Sequence, residues 1–150
     1  MELSRALAFA AERQKGTLVT IRRDGRPQVS NVLYVPDGDT VAMSVTVDRA
    51  KTRNLARDPR ACLHVTDESF WRFVVLDGTV TLSPPASAPD DSTADALVSY
   101  YRSLSGEHPD WDEYRAAMVE QGKSLLRVTP TRWGPVATGG FPARLADPHP

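Results

Sequence analysis

Apolar and polar positions along this chain recur with two different periods. Leu3, Leu7 and Ala10 or Ala11 fall on one face at helical spacing and predict an opening helix that ends before Gly16. Thr17-Leu18-Val19-Thr20-Ile21 switches to a strand pattern, and Arg23-Asp24-Gly25 closes it as a turn. Gln28 to Val35 reads as a second strand, alternating first and then apolar on both sides. Asp37-Gly38-Asp39 reverses the chain into a third strand, Thr40 to Val47. Asp48 is placed to cap a short helix from Arg49 to Arg57, which Asp58-Pro59 stops. Ala61 to Thr66 and Trp71 to Leu82 predict two more strands, the latter bent or bulged at Asp77-Gly78.

Proline, alanine and serine between Ser83 and Asp91 mark a loop. Helical stripes follow: Ala94, Leu97, Val98, Tyr101 and Leu104 within Thr93–Leu104, then Trp111, Tyr114, Ala117 and Met118 within Asp110–Glu120, which Gly122 closes. Leu125 to Thr129 returns to strand character, and Pro130 opens a less regular segment through Trp133-Gly134. Gly139-Gly140 and the terminal prolines suggest a flexible end. Hairpin-linked β segments with flanking helices favour a mainly β fold, a closed or nearly closed antiparallel barrel, over a parallel α/β sheet. At 150 residues the chain suits a single domain, 1–150.

A formal net charge of -1 gives no reason to expect nonspecific nucleic-acid or membrane attraction, so any anion site must be local. Cys62 is the sole cysteine, which rules out an intrachain disulfide and points to a reducing compartment. Neither a signal peptide nor a run of roughly 20 apolar residues is evident, and cytoplasmic residence is the expectation. The lone cysteine and scattered histidines offer no close metal-ligand set. Ser30 lacks the glycine signature of a nucleophile elbow, and His64, centred in an apolar strand, reads first as a core or hydrogen-bonding residue. No catalytic residue is assigned.

Charge singles out Arg49, Lys51 and Arg53, crowded near the exposed N–H groups of a helix start, where the dipole favours anions and disfavours cations. The plain alternative is a solvated helix whose cations pair with Asp48 and Asp58. Lys51-Thr52 has no glycine-rich loop before it, so a phosphorylated organic cofactor fits better than a nucleoside triphosphate.

Gly25-Arg26-Pro27-Gln28-Val29-Ser30-Asn31-Val32, Arg49-Ala50-Lys51-Thr52-Arg53-Asn54-Leu55, Gly106-Glu107-His108-Pro109-Asp110-Trp111 and Asp112-Glu113-Tyr114-Arg115 occur in order. Together they resemble the pyridoxamine-phosphate-oxidase-like, FMN-binding split β-barrel proteins of the deazaflavin-dependent class. The likeness is strongest to actinobacterial reductases that use coenzyme F420 (the FDOR-B type), and it covers the chain through Trp133. It implies a homodimer with cofactor clefts at the interface. Arg49, Lys51 and Thr52, with the backbone of Ala50, match the family's phosphate segment. Pro27, Gln28, Ser30 and Asn31 would lie beside the deazaflavin or its linker, with Ser44 on a neighbouring strand, and Trp71 of one subunit would cover the partner's cofactor. The implied activity is hydride transfer between reduced F420 and an electron-poor small-molecule substrate such as a quinone, an activated alkene or a tetrapyrrole. FMN is the alternative cofactor, haem or another planar ligand is less favoured, and a noncatalytic binding protein is the alternative role.

Overall fold

The computed structural model of the chain describes residues 1–137; Gly139-Gly140 and the terminal prolines lie outside the described residues. The elements in chain order are α1 (Leu3–Ala11), β1 (Lys15–Ile21), β2 (Pro27–Leu33), β3 (Val35–Asp37), β4 (Thr40–Thr46), α2 (Ala50–Arg57), β5 (Arg60–Thr66), β6 (Phe73–Leu82), α3 (Ser92–Ser105), α4 (Trp111–Glu120) and β7 (Lys123–Ala137). Every strand pairs antiparallel, in the order β2-β1-β5-β6-β7-β4-β3, and the sheet curls into a split β-barrel. Period-two alternation along each strand sends one row of side chains inward. Leu18, Met43, Leu63, Val65, Leu76 and Leu126 fill the interior, and α1 adds Ala6, Leu7, Phe9 and Ala10. A second core lies outside the barrel, where Leu97, Tyr114 and Met118 of α3 and α4 pack against Val35, Ala42 and Leu125.

Four expectations about element ends are corrected. The second strand is not continuous to Val35: it breaks at Tyr34, whose fully buried hydroxyl donates to Ala10 O at 2.7 Å while its N–H goes to Gln14 O. The tie to α1 takes Tyr34 out of the β1–β2 ladder, and β3 pairs with β4 instead. Asp48 is not the cap of the basic helix, because Arg49 occupies the N-cap and no side chain caps it. Trp71 precedes β6 in the β5–β6 turn, where Phe70 takes φ 74°. Finally, β7 runs on through Pro130, which stands opposite Gly78 at a register shift, where the missing N–H removes no regular ladder bond. Helices α3 and α4 begin at aspartates, Asp91 accepting from Ala94 N–H and Asp110 from Glu113 N–H.

Candidate functional site

The sheet's edge strands are β2 and β3, and no described strand pairing joins β2 to β3 or to β4, which leaves a seam between the end of β2 and the middle of β4. Tyr100 on α3 spans it: its hydroxyl donates to Leu33 O at 3.3 Å, and the backbone N–H of Ser44 on β4 pulls its pKa down. Burial holds that phenol above its usual range, so it stays a neutral donor. At the foot of the seam β4 ends at Thr46, and the chain turns through Val47-Asp48 into α2.

The basic segment is sorted by face. Thr52, Asn54 and Leu55 are buried, whereas Arg49, Ala50 and Arg53 are exposed and Lys51 is half-buried. Thr52 Oγ1 donates to Thr46 O at 2.8 Å, so its hydroxyl hydrogen fastens the helix start to β4. Asn54 Nδ2 reaches Thr20 Oγ1 on β1 at 3.1 Å, and Leu55 enters the barrel core. Burial lowers the pKa of Lys51 below the usual lysine value, and Arg49 and Lys123 lower it further. Lys123, the first residue of β7, is brought there by its pairing with Thr46, whose Oγ1 accepts from Nζ at 2.9 Å. Among the described residues, no carboxylate lies within ion-pair distance of Arg49, Lys51 or Lys123. Asp58, one of the two acids expected to neutralise the helix, turns instead to Arg60 at 2.8 Å, which holds its carboxyl down at about 2. The arrangement therefore presents clustered positive charge that no ion pair neutralises among the described residues.

The remaining expected residues divide. In β2, Gln28 and Ser30 face inward with Thr20 and Leu18, their pairing partners, while Pro27 and Asn31 face outward. Alternation along a strand sets adjacent residues on opposite faces, so the four do not line one wall. Asn31 borders a groove of about 440 Å³ on the outer face with Lys15, Thr17, Leu33, His64 and Thr66. Half-buried His64 belongs to that face and lies 5.4 Å from the Phe73 ring. Ser44 shares the side of β4 that carries Ala42 toward α3. Trp71 stands 43% exposed at the β5–β6 turn, edge-on to Phe70 at 5.2 Å. Lys123 and the side chain of Thr46 escaped the sequence reading, because their place follows from the β4–β7 register; Tyr100, expected only to supply apolar surface, uses its hydroxyl on Leu33 O. No group of three or more His, Cys, Asp or Glu side chains is set to hold a metal ion among the described residues. Nor is any described helix long and apolar enough to cross a membrane.

Solved structures share this architecture. A structure described as an F420 reductase matches at 23% identity and TM-score 0.64, covering 85% of this chain and 94% of its own. A conserved hypothetical protein of Mycobacterium tuberculosis matches at 20% identity and TM-score 0.70, over 95% and 89%. The haem storage protein of Vibrio cholerae matches at 19% identity and TM-score 0.65, over 89% and 94%. At such identities these likenesses establish the fold. The family model for pyridoxamine 5'-phosphate oxidase matches residues 4–137, and the chain belongs to that family.

Proposed function

We propose that this chain is a coenzyme F420-dependent oxidoreductase, acting as a homodimer on an electron-poor conjugated substrate such as a quinone, an activated alkene or a tetrapyrrole. The observation that carries the reading is the half-buried ammonium of Lys51 beside Arg49 at the start of α2, with no carboxylate within ion-pair distance among the described residues. Those residues fit a phosphate: protonated lysine and arginine attract it, and a helix start adds backbone N–H groups. When bound, the deazaflavin supplies two-electron hydride chemistry. The chain's own contribution is to hold the anionic end at α2 and to keep the seam between β2 and β4 open for the ring, with Tyr100 fixing its width. Ser30, Gln28 and Ser44 offer polar groups from the strands on either side, Asn31 does so from the outer face, and Pro27 offers an apolar ring there.

The outer face of β1, β2, β5 and β6 supports the dimer. Val29 is 57% and Leu33 48% exposed there, in one surface with Val19, Ile21, Phe73 and Val75. A second copy would remove this apolar area from water and bring its Trp71 toward the neighbouring cleft. FMN, which also carries a phosphate and a flat tricyclic ring, is the alternative cofactor. A noncatalytic cofactor-holding role is the second reading, favoured by haem storage and haem-binding proteins of the same fold.

Anaerobic titration of the protein with F420 and with FMN tests the reading. F420 is expected to bind more tightly, and Lys51→Ala to weaken it about 10-fold or more, the loss of one charge-assisted hydrogen bond. Tighter FMN binding rejects the cofactor assignment, and unchanged F420 affinity in the variant rejects the role of Lys51. Stopped-flow oxidation of the reduced cofactor by quinone, alkene and tetrapyrrole compounds then separates a reductase from a binding protein.

A further inference from the structure

We infer that Lys123 is a third cation of the phosphate site and takes up a second negative charge on the anionic head of the bound molecule. The inference rests on the reading of the α2 start as that site, and it specifies the charge the site is built for.

Thr46 organises the arrangement. Its carbonyl accepts from Thr52 Oγ1 and from the Arg49 N–H, and its side-chain oxygen accepts from Lys123 Nζ, so one residue fixes both the helix start and the incoming lysine. The Lys123 backbone is fixed as well, since it pairs with Thr46 across β4 and β7 and follows Gly122, whose carbonyl accepts from Val47 N–H. One of three ammonium hydrogens is engaged by Thr46, which leaves two for a ligand. Thr46 is thus the common point of the site, its side-chain oxygen holding Lys123 Nζ while its carbonyl accepts from Thr52 Oγ1 and from the Arg49 N–H, and Lys123 adds to the positive field that lowers the Lys51 pKa. Elsewhere on the chain, arginines near acids pair with them, as Arg115 does with Asp95 and Arg127 with Asp37. Here Arg49, Lys51 and Lys123 have no carboxylate within ion-pair distance among the described residues. A single negative charge leaves most of that repulsion in place, whereas two offset far more of it. A phosphomonoester carries nearly two charges above pH about 6. A phosphodiester with a neighbouring carboxylate carries the same total.

Isothermal titration of the full chain and its Lys123→Gln, Lys123→Arg and Thr46→Val variants separates the possibilities. The probes are FMN, riboflavin, F420 and the deazaflavin lacking the phosphoester arm. Lys123→Gln, which keeps a donor for Thr46, is expected to weaken FMN or F420 about 10-fold or more, while the phosphate-free rings stay within about 2-fold. Lys123→Arg restores most of the affinity, and Thr46→Val, which keeps the charge, costs less than Lys123→Gln. With FMN the wild-type affinity falls as pH drops through about 6, where the dianionic monoester takes up one proton and becomes a monoanion, and Lys123→Gln flattens that dependence. FMN and F420 thereby distinguish a monoester from a diester with a carboxylate. Equal weakening of phosphate-free and phosphorylated rings assigns Lys123 a structural role and overturns the proposal. Unchanged affinity of Lys123→Gln for both phosphorylated probes overturns it too, with the α2 site intact. Failure of the wild type to prefer either phosphorylated probe over its phosphate-free counterpart overturns the α2 site itself, and this proposal with it.

Discussion

Asn54 is 7% exposed, and its amide ties the basic helix to the sheet. Nδ2 donates to Thr20 Oγ1, itself fully buried, and Oδ1 accepts from Arg57 Nη2 at 3.2 Å. Arg57 in turn donates to Ile21 O at 2.8 Å, so a residue that the sequence presents as one more surface cation serves to anchor α2 on β1. Truncating Asn54 to alanine leaves a buried hydroxyl short of its partner, at a cost of about 1–3 kcal/mol. Urea denaturation of Asn54→Ala is expected to show that loss, together with weaker F420 binding, because Arg49 and Lys51 ride on the helix that Asn54 positions. Full stability in the variant would leave the Thr20–Asn54 bond without weight. Arg49, Lys51 and Thr52 were legible as candidates because local charge density is a property of neighbouring residues in the chain. Lys123 was not, since a lone lysine after a glycine carries no signal until Thr46 is known to lie opposite it.

Between β6 and β7 the strand register shifts at Asp77/Gly78. A Cβ at Gly78 would lie 2.5 Å from Thr129 O and 2.7 Å from Val128 Cγ1, and the first of these is backbone that has nowhere to retreat. Gly78→Ala is expected to destabilise by about 1–3 kcal/mol through forced separation of the two strands. Gly134, with nothing within 4 Å of its would-be Cβ, is the control, and Gly134→Ala should stay within about 0.5 kcal/mol. Thermal melts of the two variants check the contrast, and equal melting temperatures would remove the close approach as the reason for glycine. The bend at Asp77-Gly78 was readable because a glycine inside a strand pattern marks such a site. The end of β7 was misread for the complementary reason. Proline argues against a strand unless the bond it cannot donate is already missing, and that depends on Gly78 across the ladder. Tyr34 hid the β2–β3 break in the same way, since its apolar neighbours alternate smoothly through a residue whose hydroxyl belongs to α1.

At the scale of the molecule, the hairpins were legible from neighbouring turns. The sheet order was not, because β1–β5 and β4–β7 join segments distant in the chain, and the inward rows meet only once the barrel curls. Three tyrosine hydroxyls fasten the helices to this framework: Tyr34 joins the barrel to α1, Tyr114 donates to Leu97 O of α3 at 2.8 Å, and Tyr100 reaches β2. Burial raises all three phenols above the usual 10.0, that of Tyr114 to about 12. Raised values mean that the unfolded chain releases these protons first. The stability they confer is therefore complete below pH 10.0 and is lost as pH climbs through the folded values. Cys62, pushed up to about 11 chiefly by burial and then by its bond to Asp77, adds the same trend from 9.0 upward. Urea midpoints measured alongside tyrosinate absorbance from about pH 8 to 12 should hold level at first, begin to fall as the cysteine range is entered, and fall more steeply once the tyrosine range is reached. Tyr34→Phe should start lower, by about 0.5–1.5 kcal/mol for one lost hydrogen bond to an Ala10 carbonyl that keeps its Arg13 and Gln14 N–H partners, and then decline less steeply, since one of the phenols driving the loss is gone. A variant that begins lower yet keeps the full alkaline slope would show that Tyr34 holds α1 in place without contributing to the pH dependence, leaving that to Tyr100, Tyr114 and Cys62.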